Sequence, residues 1–298
     1  MPVFDTPDPI LATIELSVGT VRIAASERTD THVRVRPGDR ADFRDVVTAA
    51  AVVVGYRDGE LVVSVANPSG LPPGGGNVRV DIELPAGSEV QGDALAADFI
   101  GEGRLGECRI TTACGHLRFA ETGPLYLNSL LGNVTVERVR GDLDAVAECG
   151  DVRIAAVDGA VRLHRTRGAT YLGEVGGETS VSALSGQVRV GRAHGALDVR
   201  TTQGDIRIDE ARQGPLVLET VSGALDVAIA GGAGTRLDLD SRHGTVYRSL
   251  ELLGGMSADC GGPAVEVYAR TDSGDIVIRR AALAPGEETP KTGGEQTP

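Results

Sequence analysis

The sequence predicts an all-β protein whose main part is a parallel β-solenoid, and three observations lead to this fold class. Glycine recurs every nine residues over a long stretch, apolar and polar residues alternate within each nine-residue unit, and aromatic residues make up only 3% of the chain. A core without bulky rings has to be filled by Val, Leu, Ile and Ala in many thin, similar layers. Stacked strands of one repeated unit provide such layers.

The glycine repeat is continuous in the middle of the chain and slips by one residue only near its end. Its glycines are Gly141, Gly150, Gly159, Gly168, Gly177, Gly186, Gly195, Gly204, Gly214 and Gly223. Counted from its glycine as position 1, a unit has apolar residues at positions 3 and 5, such as Val152 and Ile154, with a polar residue such as Arg153 between them. This alternation is typical of a strand with one buried face. Position 8 is a third candidate for the core.

A single unit cannot bury its own apolar face, so we expect the strands of successive coils to pair about 4.8 Å apart. At a spacing of about 18 residues, position 8 separates into two columns. One is aliphatic (Val157, Val175, Ala193, Ala211, Ala230) and the other is mixed (Glu148, Thr166, Leu184, Thr202, Val221). This separation favours two units per coil and two facing sheets. A three-sided coil of three units would mix the columns.

The chain is expected to contain three regions. Residues 1–89 read as an N-terminal cap of longer antiparallel strands that covers the first coil, with a short helical turn at 41–49 and a loop at 68–76. Residues 90–281 form the β-solenoid. Residues 282–298 are polar and contain several prolines, which predicts a disordered tail.

Several segments, in order along the chain, carry a resemblance to a known family. They are MPVFDTPDPILATIELSVGTVRIAASERTDT at the start, LPAGSEVQGDA, RLGECRI, the GDVRI-type units and DSGDIVIRRA near the end. Together they resemble the bacterial β-strand-repeat proteins of domain-of-unknown-function family 4097, which are also called "putative adhesins". The resemblance spans about residues 1–281. It implies a repeated β fold and brings no catalytic or ligand-binding residues with it.

Charge and the N-terminal sequence narrow the functional classes. The formal net charge of −13 argues against nucleic-acid partners and anionic membrane surfaces, both of which attract basic proteins. The N-terminal residues have neither the basic region nor the apolar segment of a signal peptide, and no run of about 18 apolar residues occurs. We therefore expect a cytoplasmic protein with reduced cysteines.

Metal ions and cofactors are not expected. The five histidines share no metal-binding spacing; they are His32, His116, His164, His194 and His243. Aspartates that follow a repeat glycine, such as Asp142 and Asp151, do not recur in every unit as calcium-binding nonapeptide repeats require. We expect them to cap the turns instead. Cys114 and Cys149 both occupy position 9, where small corner residues are favoured over a functional thiol pair.

One column of side chains is the candidate binding site. With 18-residue coils, position 4 stacks Arg153, Tyr171, Arg189 and Arg207 on one sheet face. Such a column can bind a ligand that bears carboxylates or phosphates, or an acidic segment of a partner. The alternative is a solvated face whose arginines are balanced by acids, and the candidate acids are Asp205, Asp209 and Glu174.

The regularity of the repeat argues against catalysis, because the units from Gly141 to Gly204 have no inserted loops in which a catalytic site could be built. We expect a non-catalytic protein that binds or scaffolds, through a protein partner or through self-association. Two alternatives stay open. One is a solenoid enzyme acting on a carbohydrate or nucleotide-like substrate, with perturbed acids near the arginine column; the other is a self-assembling structural protein.

Overall fold

The fold was described from a computed structural model, which covers residues 2–65, 75–231, 234–249 and 264–281. These residues form strands throughout, apart from one helix. The predicted fold class, an all-β parallel solenoid, is confirmed. No helix within the described ranges is long and apolar enough to cross a membrane.

The N-terminal part contains seven strands and the helix α1. Their bounds are β1 (Val3–Asp5), β2 (Leu11–Ser26), β3 (Asp30–Pro37), α1 (Phe43–Ala51), β4 (Val52–Arg57), β5 (Glu60–Val65), β6 (Val78–Pro85) and β7 (Glu89–Arg104).

The repeats contribute one strand per nine-residue unit. Their bounds are β8 (Cys108–Cys114), β9 (Leu117–Thr122), β10 (Leu125–Leu131), β11 (Val134–Val139), β12 (Leu143–Cys149), β13 (Val152–Val157), β14 (Val161–Arg167), β15 (Thr170–Val175), β16 (Thr179–Ser185), β17 (Val188–Ala193), β18 (Leu197–Gln203), β19 (Ile206–Ala211), β20 (Gly214–Ser222), β21 (Leu225–Ile229), β22 (Gly234–His243), β23 (Val246–Ser249), β24 (Ala264–Ser273) and β25 (Ile276–Arg280).

Each repeat strand pairs in parallel with the strand two elements away, so two units make one coil. Val152 of β13, for example, pairs with Val134 on one side and Thr170 on the other, 18 residues away in each direction. The even-numbered strands from β8 onward form one face, sheet A, and the odd-numbered strands from β9 onward form the opposite face, sheet B. The predicted coil of two units is confirmed.

The two sheets bury different positions of the unit. In sheet B, positions 3, 5 and 8 face the core, as in Val152, Ile154 and Val157. In sheet A the strand alternates regularly through position 7, as in Leu143, Ala145 and Ala147. Position 8 of sheet A therefore faces solvent, which explains why the sequence column through Glu148 and Leu184 is mixed.

The corner that leads from sheet A to sheet B is built from a column of stacked glycines. Gly186 has a φ of +127°, and a Cβ on it would lie 1.9 Å from the carbonyl oxygen of Gly168 in the preceding coil. Only glycine fits a backbone that is both left-handed and this close to its neighbour. The same two conditions hold at Gly115, Gly132, Gly150, Gly168, Gly204, Gly223 and Gly274.

Aspartate and asparagine side chains connect successive coils at the corners. Oδ1 of Asp142 accepts a hydrogen bond from the backbone N–H of Ala160, one coil further on, at 2.8 Å. Oδ1 of Asn133 accepts from the N–H of Asp151 at 2.9 Å in the same way. The prediction that aspartates after the glycine cap the turns is confirmed at Asp142, and these oxygens satisfy donors that the strands leave unpaired.

The spatial order of the coils differs from their sequence order at both ends. The final strands β24 and β25 lie between the coil of β20 and β21 and the coil of β22 and β23. At the other end, β2 lies between β7 on one side and the strands β5 and β6 on the other. At each end, a strand from near a chain terminus is thus covered by a coil from further inside the sequence.

The N-terminal region combines antiparallel and parallel pairing. β3 is antiparallel to both β1 and β6, and β4 is antiparallel to β5, whereas β2 is parallel to β5, β6 and β7. The predicted helical turn is α1, whose N-cap Asp42 accepts from the N–H of Arg44 at 2.8 Å. Most of the predicted loop at 68–76 and the whole predicted tail at 282–298 lie outside the described residues.

We expect the substitution Gly186→Ala to lower the free energy of unfolding by roughly 2–5 kcal/mol, because the new Cβ combines a strained backbone with a steric overlap. Gly55→Ala is the matched control, since a Cβ there meets no atom within 4 Å. Urea titrations of both variants measure the effect. Equal unfolding midpoints would contradict the role of the glycine column.

A second prediction concerns the corner carboxylates. Asp142→Ala removes the acceptor for the Ala160 N–H, and we expect a loss of about 0.5–2 kcal/mol in unfolding free energy. Asp142→Asn should retain most of the stability, because Asn133 performs the same function one coil earlier. Thermal unfolding of the two variants distinguishes a hydrogen-bond role from a purely electrostatic one.

Candidate functional site

The four residues of the predicted arginine column lie in one column on the solvent face of sheet B. The strand registers pair Arg153 with Tyr171, Tyr171 with Arg189, and Arg189 with Arg207. Neighbouring residues of the column are therefore about 4.8 Å apart along the solenoid axis. The guanidinium carbon of Arg189 lies 5.9 Å from the centre of the Tyr171 ring, within the range of a cation–π contact.

Asp209 binds two of the arginines at once. Nε of Arg189 donates to Asp209 Oδ2 at 2.7 Å, and Nε of Arg207 donates to Asp209 Oδ1 at 2.8 Å. Partial burial alone would raise the pKa of Asp209, but the hydrogen bonds from Arg207 and Arg189 outweigh it and hold the pKa below its usual value. This carboxylate therefore stays ionised between the two cations.

The other two acids proposed as counter-charges do not contact the column. Glu174 binds His194 Nε2 at 2.8 Å and lies 3.5 Å from Arg192 Nη1. The hydrogen bond from His194 is the main cause that lowers the pKa of Glu174. Asp205 accepts from the backbone N–H of Ala224 at 2.8 Å and so belongs to a corner. Of the three expected acids, only Asp209 neutralises the arginine column.

Arg153 is exposed and forms no ion pair with any residue of the described ranges. The reason lies in the residues around it. Asp209 lies two residues beyond Arg207 in the same strand and at the diagonal position one coil beyond Arg189. The equivalent positions for Arg153 are occupied by Ala155 and Gly173, neither of which has a charge.

These small residues form the floor of a shallow trough that runs along the solenoid axis. It encloses about 400 Å³. Its lining residues are Ala155, Tyr171, Gly173, Glu174, Gly191, Arg192, Asp209, Glu210 and Ala281. A Cβ on Gly191 would lie 2.4 Å from the carbonyl oxygen of Gly173, so the floor at this point is bare backbone. One side of the trough carries the arginine column and the other carries alternating acids and arginine.

The column extends further than the sequence indicated. Arg118 of β9 pairs in register with Thr135, which in turn pairs with Arg153, so Arg118 belongs to the same column. The coil from Gly115 to Gly132 has 17 residues instead of 18, and this shift hid the alignment. Counting position 4 from each glycine, instead of applying a constant spacing, is the signal that finds it.

A buried arginine was also missed by sequence reasoning. Arg165 is 6% exposed and lies at position 7 of sheet A, between Ala147 and Ala183 of the adjacent coils. Its guanidinium donates to corner carbonyl oxygens, including those of Gly150 and of Ala169, the latter at 2.6 Å. Desolvation lowers the pKa of Arg165. Its contacts are those of a structural clamp.

The cysteines in one corner column are too far apart to form a disulfide. Cys114 pairs in register with Leu131, and Leu131 pairs with Cys149, so a whole strand separates the two thiols by about 9–10 Å. Among the described residues, no group of three or more His, Cys, Asp or Glu side chains is arranged to bind a metal ion.

The fold and the face of sheet B define a class of protein, a two-sheet β-solenoid with a charged, small-floored trough on one side. The sequence profile of the Toastrack DUF4097 family matches residues 12–279, and the chain belongs to this family. The resemblance seen in the sequence is thereby confirmed. No curated protein matches the sequence.

Solved structures of low sequence identity match over nearly the whole chain. A "putative adhesin" from Bacteroides fragilis is 13% identical, covering 93% of this chain and 96% of that one, with a TM-score of 0.34. A "putative adhesin" from Parabacteroides merdae is 15% identical, covering 93% and 94%, with a TM-score of 0.32. A "putative cell adhesion protein" from Clostridium sporogenes is 11% identical, covering 94% and 98%, with a TM-score of 0.20. At these scores the structures add nothing to the family membership.

The thiols should differ sharply in reactivity. Burial raises the pKa of the Cys108 thiol to about 12, and the charges of Glu107 and Glu89 add to this effect. Because the thiolate is the reactive form, we expect iodoacetamide at pH 8 to alkylate the exposed Cys114 in the folded protein and to leave Cys108 unmodified until the protein is unfolded. Peptide mass spectrometry before and after denaturation measures both sites. Rapid alkylation of native Cys108 would contradict its burial.

Proposed function

We propose that this adhesin-like solenoid is a non-catalytic binding or scaffolding protein, and that the trough on sheet B recognises an acidic segment of a protein partner. The cytoplasmic location expected from the sequence stays a prediction within this proposal. The observation that carries the proposal is Arg153, an exposed cation beside a floor of Ala155, Gly173 and Gly191.

The unpaired state of Arg153 favours binding of an external anion. Arg189 and Arg207 are each held by Asp209, but their Nη groups retain donors for a ligand. Arg153 has all five N–H donors without a carboxylate partner among the described residues, and guanidinium groups bind carboxylates in a bidentate geometry. Because the floor has almost no side chains, an extended segment can approach the backbone closely.

The carboxylates beside the trough support binding in preference to catalysis. A solenoid hydrolase needs a carboxyl group with a raised pKa that can donate a proton near neutral pH. The pKa values of Asp209 and Glu174 are instead lowered by their cationic neighbours. Groups that remain ionised in this way serve as counter-charges, which is what a recognition surface requires.

Poly-L-glutamate is a suitable probe, because it presents carboxylates on an extended chain. We expect Arg153→Glu to raise its Kd by about tenfold or more, which corresponds to roughly 1.4 kcal/mol or more. Arg162→Glu is the matched control, because Arg162 is equally exposed but lies on sheet A. Biolayer interferometry on the full chain measures all three proteins.

The salt dependence and the folded state complete this test. Binding by the wild type should weaken as the salt concentration rises, and the three proteins should have similar melting temperatures. If poly-L-glutamate does not bind the wild type, or binds all three proteins equally, the trough is not the recognition site for an acidic segment.

A further inference from the structure

The chain leaves the described solenoid at the trough itself. After β25, the backbone N–H of Ala281 donates to the carbonyl oxygen of Ile229 at 2.8 Å. Ala281 then lines the trough together with Asp209 and Glu210. The 17 residues that follow, 282–298, therefore begin at one end of the candidate binding site.

The charges of this C-terminal segment complement those of the trough. The segment contains three glutamates, Glu287, Glu288 and Glu295, and one lysine, Lys291. Within the trough, the arginine column presents the unpaired Arg153. The opposite side carries Glu174 and Glu210, and the exposed Glu137 of β11 lies one strand beyond Arg153.

The length of the segment matches the distance to Arg153. From the strand of Asp209 to that of Arg153 there are three strand spacings, or about 14 Å. The six residues from Ala281 to Glu287 span up to about 20 Å when extended. Glu287 and Glu288 thus reach Arg153 without strain, and a tether this short gives an effective concentration in the millimolar range.

The prolines of the segment add an apolar complement. Pro285 and Pro290 flank the two glutamates and favour the extended polyproline II conformation, which carries little entropy to lose on binding. Aromatic side chains on shallow grooves are the usual partners of such segments. Tyr171, half-buried between Arg153 and Arg189 in the column, is the aromatic residue of the trough.

We propose that residues 282–298 occupy the trough of their own chain, with Glu287 and Glu288 at Arg153, and compete there with an acidic partner. This inference rests on the trough of the proposed function but does not require that a partner exists. The segment acts as an intramolecular occupant that only a partner of higher effective affinity displaces.

Lys291 makes a direct test available, because it is the only lysine of the chain. A zero-length carbodiimide joins its amine only to carboxylates in contact with it. We expect peptide mass spectrometry of the full-length protein to find Lys291 linked to trough carboxylates such as Glu137, Glu174 and Glu210. Links to exposed acids of sheet A, such as Asp144 and Glu148, should be at least about tenfold rarer.

Charge reversal provides the matched variants. Arg153→Glu should reduce the trough cross-links about tenfold, whereas Arg162→Glu should leave them unchanged. Adding Glu287→Arg and Glu288→Arg to the Arg153→Glu protein should restore them, and these arginines keep Lys291 as the only lysine. Cross-links spread evenly over both sheets, or unaffected by Arg153→Glu, would overturn the proposal.

The outcome is separable from that of the proposed function, because the cross-linking contains no added ligand. Trough cross-links in a protein that fails to bind poly-L-glutamate would leave the segment as an occupant and remove the partner site. Binding of poly-L-glutamate without trough cross-links would do the reverse. In the double variant Glu287→Gln and Glu288→Gln, poly-L-glutamate should bind several-fold more tightly than in the wild type, because the competitor is weakened.

Discussion

The close approach of stacked backbones at the glycine corner is the constraint on which the rest of the structure depends. Each corner glycine donates its N–H to the next coil; Gly186, for example, donates to the carbonyl oxygen of Gln203 at 2.9 Å. This contact sets the rotation and the rise from one coil to the next. Since every coil repeats it, residues at equal distances from the glycine fall into straight columns. The core, the ion pairs and the trough all inherit their geometry from this stacking.

Much of the architecture could be predicted because it depends on local sequence. The nine-residue period, the strand at positions 3 to 5, the two-unit coil and the column from Arg153 to Arg207 all follow from residues close to one glycine. The inward position 7 of sheet A could not be predicted, because Thr112, Ser129 and Arg165 are polar and are buried only through hydrogen bonds or small size. The exchanged order of the end coils depends on pairing between distant segments, which a periodic pattern does not specify.

The candidate site shows the same division between local and non-local information. Its column was predictable, but the charge state of each member depends on a diagonal neighbour one coil away. A single aspartate, Asp209, neutralises two arginines, whereas Ala155 and Gly173 leave Arg153 without a counter-charge. In a repeat protein, therefore, replacing an acid by a small residue at one position does two things at once. It frees a cation, and it opens the surface beside it.

The exchanged order of the coils at both ends limits how such a protein can change in length during evolution. In an ordinary solenoid, new repeats are added most simply at a terminus, where only one interface has to be matched. Here the strands nearest the termini are enclosed on both sides, β2 by β7 and by β5 with β6, and β24 by β20 and β22. An added terminal repeat would have no free edge next to its point of attachment. Duplication of an 18-residue coil in the uniform middle leaves both enclosed ends intact, so the family should vary in its number of central coils while its ends stay the same.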